Sequence, residues 1–258
     1  MAQNVTQRSN RNKNADVIFI SPGASLREGV FSNFGGHSLI ASAGVNIGLI
    51  SAPISDVLYS RHSETCNFGG IPMPRLTPIT KREQVTGEGL VAFDAIIESR
   101  GSINAPQAMH MYVPEIAQCS TALSDSLRYR SHLSDHDTEL AIITAAREMD
   151  CDYVWSGHSR AALRAGVRPE VVDIVANLGS LDGLTKEEAV IVRFGREVVG
   201  NHKLSQEGFD AAIEQFGEAN TIVLGALMGH YTMMSCTLIA TDTRPAEGAP
   251  VLPKRPYV

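Results

Sequence analysis

The chain has 258 residues, 43% hydrophobic and 19% charged, with a net charge of −6 and a pI near 5.7. That balance fits a globular protein with a full core and excludes a nucleic-acid footprint, since no basic stripe with interleaved aromatics is present. The four cysteines, Cys66, Cys119, Cys151 and Cys236, are far apart and form no CxxC pair. They predict neither a disulfide framework nor a zinc site, and point to a reducing, cytoplasmic setting.

Residues 1–72 carry five basic residues against four acidic ones, so the acidic surplus lies downstream. Met1–Ala15 is rich in Asn, Gln and Arg and reads as disordered. No apolar h-region follows it closely, which argues against a secretory signal. Its basic, Ser-containing character leaves organelle targeting open, and Met73 as the natural start is a further reading. Residues 1–72 are therefore expected to be a partly disordered extension, and 73–258 a helical domain.

From Met73 onward the periodicity is helical. Leu90, Phe93, Ile96 and Ile97 recur at helical spacing before Gly101. Pro114 opens a second helix, with Cys119, Leu123 and Leu127 on one side. Ser134 and Asp135 are N-cap candidates for the helix carrying Glu139, Ile142 and Ile143. A break at Asp150 or Asp152 precedes a segment that ends near Gly166, a fit to a C′ position. Pro169 suits a first helical position, Thr185–Glu188 is a capping box ahead of Ala189–Val199, and Ser205 opens Phe209–Phe216. The last helix, Glu218–Ala240, is the most apolar. Its run from Thr221 is interrupted by Gly225, Gly229, His230 and Ser235, so no membrane span is expected. Strand-like alternation is scarce, and the domain reads as all-α.

The chemistry concentrates between Glu139 and His158. Cys151 and His158 stand two helical turns apart and are expected to share a face, with Glu139 brought back against it by antiparallel packing. A carboxylate, a thiol and an imidazole there are the minimum equipment for proton transfer beside a nucleophile.

Several blocks in order resemble the carboxymuconolactone decarboxylase-like proteins, in the superfamily that also holds the AhpD-type alkylhydroperoxidases. They are Leu127-Arg128-Tyr129, Thr138-Glu139-Leu140-Ala141-Ile142, Cys151 through Trp155 to His158, Phe216-Gly217-Glu218 and Gly229-His230-Tyr231. The resemblance spans residues 73–258. It implies an AhpD-like helical domain that assembles into trimers or hexamers and works on a small-molecule substrate without metal or organic cofactor. In the peroxidase branch a glutamate is followed by CxxC and then a histidine. Here Val154 replaces the second cysteine, which removes the dithiol cycle. In the decarboxylase branch a histidine and a glutamate serve proton transfer, and His158 and Glu139 match them. Thr138 stands where many relatives have arginine, which suggests a different substrate.

The expected catalytic residues are therefore His158, Glu139 and Cys151. Arg128, Arg130, Tyr153, Trp155, His230 and Tyr231 are the expected substrate contacts. The imidazole is the proton donor, since its unperturbed pKa of about 6.5 suits neutral pH. Glu139 either fixes the histidine tautomer or, with a raised pKa, carries the proton itself. Two other readings stand beside this one: a single-cysteine thiol peroxidase or reductase centred on Cys151, and a non-catalytic helical assembly protein.

Overall fold

The computed structural model describes residues 74–255 and, upstream, a two-residue antiparallel pairing of Asn33–Phe34 with His37–Ser38. The chain separates into two compact units, 1–64 and 65–258. The expected disorder of Met1–Ala15 and the expected boundary at 72/73 lie outside the described residues. The described part of the second unit is all-α.

Eight α-helices build it: α1 (Glu88–Arg100), α2 (Ala105–His110), α3 (Pro114–Tyr129), α4 (Asp135–Glu148), α5 (Asp152–Arg164), α6 (Pro169–Ala176), α7 (Lys186–Gly195) and α8 (Gln206–Ala240). The punctuation is local chemistry. Ser134 Oγ accepts from Asp137 N at the start of α4, and Thr185 and Glu188 close a reciprocal capping box on α7. Pro114 and Pro169 occupy first-turn positions of α3 and α6. At the end of α4, Asp150 adopts φ 49° and Cys151 N donates back to Ala146 O at 2.9 Å. That six-to-one bond turns the chain into α5. α7 runs on into a π-helical turn, Arg196–Gly200, where a single α-helix to Val199 was expected.

α4 is the centre of the fold, packed against α5, α6, α7 and α8. Leu140, Ala141, Ile142, Ile143, Ala145 and Ala146 are all completely buried, as are Leu224, Leu227 and Met228 of α8. α8 is long and apolar enough to cross a membrane by length and composition, and its Leu224, Leu227, Met228, Tyr231 and Leu238 are buried in the core. A satellite cluster of Ala92, Phe93, Ile96, Met111 and Ala117 joins α1 to α3.

The side of α3 that carries Cys119, Leu123 and Leu127 is not its buried one. Cys119 and Leu123 are exposed, and only Leu127 of that trio is buried. Ala117, Ser120, Thr121 and Ser124 face inward instead. Ser120 is held there because its Oγ meets His110 Nδ1 at 3.0 Å, while His110 Nε2 meets Thr237 Oγ1 of α8 at 3.0 Å. The Pro-rich tail also folds back on its own chain. Arg147, 2% exposed, donates to Pro253 O, and Arg255 Nη2 donates to the backbone carbonyls of Arg147 and Glu148. Arg255 thereby adds a second donor to Arg147 O, which also accepts from Asp150 N, and supplies one to Glu148 O at the end of α4.

Gly217 divides α8, with φ 74° and ψ 171° inside an otherwise continuous helix. A Cβ there would meet no atom within 4 Å, so the demand for glycine is conformational rather than steric. Gly217→Ala should lower stability by about 1–3 kcal/mol. Gly229→Ala, at an exposed and regular helical position with equally open space, should raise it by about 0.5–1 kcal/mol. Urea titration of the two variants reads the opposite signs directly.

Candidate active site

The antiparallel return of α5 along α4 brings His158 to Glu139, with His158 Nδ1 and Glu139 Oε2 2.7 Å apart. The other carboxylate oxygen, Oε1, accepts from Arg128 Nη2 of α3 at 2.8 Å. One buried carboxylate thus joins three helices. Burial pushes the Glu139 carboxyl up, but its hydrogen bonds and charge attraction to His158 and Arg128 outweigh this and hold it below the ordinary carboxylate range. That direction favours an ionised Glu139 and weighs against the raised-pKa proton carrier considered from the sequence. Its bond to Nδ1 fixes the imidazole and leaves Nε2 as the nitrogen available to a substrate.

His158 lines a cavity of about 240 Å³. On α5 the lining positions are Val154, Gly157 and His158, spaced as one helical stripe, with Tyr153 beside them. α3 contributes Ser124 and Arg128 at the same four-residue interval, and α8 contributes His230, Tyr231 and Met234. The Tyr231 ring meets the His158 ring edge-on at 4.9 Å, and burial pushes its phenol far up, so it stays protonated. His230 is pushed down to about 4, first by burial and then by the positive charges of His110, Arg100 and Arg128. It is a neutral group at physiological pH.

Three of the expected residues are placed elsewhere. Trp155 is 4% exposed and packs in the core, one position round the helix from the cavity stripe. Arg130 is exposed and donates to Ser126 Oγ and Ala122 O, away from the cavity. Cys151 does not share the face of His158. It is the N-cap of α5, is 2% exposed, and does not line the cavity. Burial pushes its thiol up, against the opposing pull of the Val154 and Tyr153 backbone. The pocket-facing position one turn before His158 belongs to Val154.

The sequence reading also missed contributors. Arg100, at the end of α1, lines the cavity and pairs with Asp125 Oδ1 at 2.6 Å. Its guanidinium carbon lies 5.9 Å from the Tyr129 ring centroid and that of Arg128 lies 5.0 Å from it, so one aromatic ring contacts both cations. Gln107 of α2 is a further lining residue. In the sequence nothing singles out Arg100, the residue before Gly101. A second cavity of about 260 Å³ touches Glu139 and Arg128, and Thr138 and Arg164 line it. Thr138 Oγ1 is buried there without a partner. Among the described residues, no three His, Cys, Asp or Glu side chains converge as a metal site.

Residues 114–197 match the family model of the Carboxymuconolactone decarboxylase family. The match takes in α3 to α7, the helices that carry Arg128, Glu139 and His158. The chain is similar in structure to an alkylhydroperoxidase AhpD core, an uncharacterized peroxidase-related protein from Ralstonia eutropha JMP134. The two share 15% identity, with a TM-score of 0.56 over 69% of this chain and 94% of that one. It is similar also to the debrominase Bmp8, solved as a cysteine-to-alanine variant with 2,3,4-tribromopyrrole. There the identity is 16% and the TM-score 0.55, over 68% of this chain and 95% of that one. A peroxidase-related protein from Silicibacter sp. TM1040 matches at 16% identity and a TM-score of 0.51, over 69% and 92%. No curated protein matches by sequence. At these identities the likeness shows the fold.

The Glu139 geometry has a consequence for stability. Because its folded pKa is depressed, Glu139 contributes stability above the unfolded carboxylate pKa of about 4.3 that is lost as pH falls through the folded value. Glu139→Gln should cost about 3 kcal/mol at neutral pH, since it leaves Arg128 short of its counter-charge. It should also flatten the acid limb of a stability–pH curve below pH ~4.3. Urea denaturation across pH 3–7 measures both, and an unchanged acid limb would count against the pairing.

Proposed function

We propose that the chain is a cofactor-independent carboxy-lyase acting on a small carboxylated or lactone-type acid. The carrying observation is that His158, fixed through Nδ1 by Glu139 at 2.7 Å, lines the same cavity as two guanidinium groups and no thiol. Arg100 and Arg128 hold the anionic substrate. Loss of carbon dioxide breaks the bond to the carboxyl carbon and leaves its electron pair on the adjacent carbon, delocalised into a neighbouring carbonyl. Nε2–H of the protonated His158 delivers the proton that forms the new C–H bond, and a proton from water restores the imidazolium. Glu139 is a positioning residue in this scheme, and Tyr153 and Tyr231 are pocket walls. Exposed Ile116 and Leu123 on α3 and Ile222 and Ile239 on α8 support assembly into a homo-oligomer, trimer or hexamer. The widely spaced, unpaired cysteines support a cytoplasmic setting.

His158→Gln should lower the rate of carbon dioxide release by about 10²–10⁴-fold with little change in KM. The assay is release from a panel of γ-carboxylactones and β-keto acids. No release from any of them, together with wild-type behaviour of His158→Gln in a broader activity screen, would end this reading.

A second reading, thiol chemistry of the AhpD type at Cys151, is favoured by the peroxidase-related proteins among the structural neighbours. The burial of Cys151 and its raised thiol weigh against it. Peroxide treatment followed by mass spectrometry separates the two. We expect Cys119 and Cys236, both exposed, to be oxidised before Cys151. Preferential sulfenic acid at Cys151 would favour the thiol enzyme.

A further inference from the structure

Among the described residues, nine buried side-chain polar atoms lack a hydrogen-bond partner, and four belong to residues lining the His158 cavity. They are Arg100 Nε, Gln107 Oε1, Arg128 Nε and His230 Nδ1. Unpartnered buried polar atoms are costly and rare, so their concentration around one cavity marks atoms left for a ligand. The two arginines already have a role in holding an anion. Gln107 and His230 differ from them: each is 4% exposed, and neither side chain carries a net charge at physiological pH.

The chemistry of these two atoms narrows what they can receive. An amide oxygen accepts only, so a carboxylate cannot satisfy it, and a methyl group leaves it unpaired. An ammonium group would share the cavity with Arg100 and Arg128. A hydroxyl donates one hydrogen bond and accepts others. It can donate to Gln107 Oε1 and, on its lone pairs, accept from the imidazole of His230. A hydroxyl suits the amide in either orientation, donating to its oxygen or accepting from its nitrogen.

We propose that Gln107 and His230 form a hydroxyl-binding subsite in the cavity beside His158, so that the substrate is a small hydroxylated carboxylic acid. The inference rests on the reading that Arg100 and Arg128 hold an anion there. α2 is a short helix packed on α3 and α8, and its role in this arrangement is to carry Gln107 to the cavity wall.

Calorimetric binding of three matched pairs to the full chain tests it: succinate with malate, glutarate with 2-hydroxyglutarate, and benzoate with 3-hydroxybenzoate. In at least one pair the hydroxylated acid should bind about tenfold more tightly than its parent. In Gln107→Leu that advantage should shrink to less than about twofold, with the parent's affinity unchanged. Gln107→Leu should also melt at or above the wild-type temperature, because it replaces an unpartnered polar atom with an apolar one. A lower melting temperature would make Gln107 a structural residue and overturn the subsite. If parent acids bind but no hydroxyl helps, or if Gln107→Leu keeps the advantage, the subsite fails and the anion reading stands. If none of the six acids binds, the anion reading falls and takes the subsite with it.

Discussion

A carboxylate taken out of water has to be compensated, and in this fold the compensation of Glu139 ties the site together. Its two oxygens are satisfied by different helices, Arg128 from α3 on one side and His158 from α5 on the other. Neither partner alone would repay the desolvation of a group whose side chain is 8% exposed. α4 can bury this charge at its centre only because α3 and α5 arrive in register. That register is set by the Ser134 cap at one end of α4 and the Asp150 turn at the other. The same bonds that make the burial tolerable also orient the imidazole, so stability and chemistry draw on one arrangement.

Arg128 is the most shared side chain in the unit. It pairs with Glu139, lies over the Tyr129 ring, borders both cavities, and adds to the field that keeps His230 neutral. Arg100 reaches the same cavity from α1 with its own counter-ion, Asp125. The cavity therefore holds two guanidinium groups, each paired with only one carboxylate, together with neutral polar groups. Such a wall suits an anion with an additional uncharged oxygen. Val154 on the α5 stripe gives this cavity a methyl surface one turn from His158. The thiol that comes nearest in sequence, Cys151, faces the core because an N-cap residue does not follow the helix's rotation.

Much of this was legible in the chain. Caps and stops are encoded within three or four residues, which is why Ser134, Thr185, Pro114, Pro169 and Gly166 could be placed. Glu139 and His158 sit on consecutive helices joined by a short turn, so their meeting needed only antiparallel packing. The failures share a cause as well. Arg100 and Gln107 enter the site through the packing of α1 and α2, which no local spacing announces. On α3 the apolar pattern put Cys119 and Leu123 on one side with Leu127, and it is Ser120, Thr121 and Ser124 that are buried with Leu127. Ser120 hydrogen-bonds to His110, and Ser124 lines the cavity. Hydrophobicity cannot tell a polar residue that has found a buried partner from one facing water. Trp155 failed by a single helical step: its neighbour Val154 faces the cavity and it faces the core.

The link between Arg255 and the end of α4 bears on the order in which the molecule is made. The carbonyls of Arg147 and Glu148 each accept from a guanidinium about 108 residues further along the chain. A nascent polypeptide emerging from the ribosome can form α4, α5 and the local bond from Cys151 N to Ala146 O that turns one into the other, but the corner gains its last bonds only when synthesis has passed Arg255. That corner sets the register of Glu139 against His158. The proton-handling pair thus acquires its final rigidity late, after the surrounding helices have been made, and a chain released early would carry the pair without its brace.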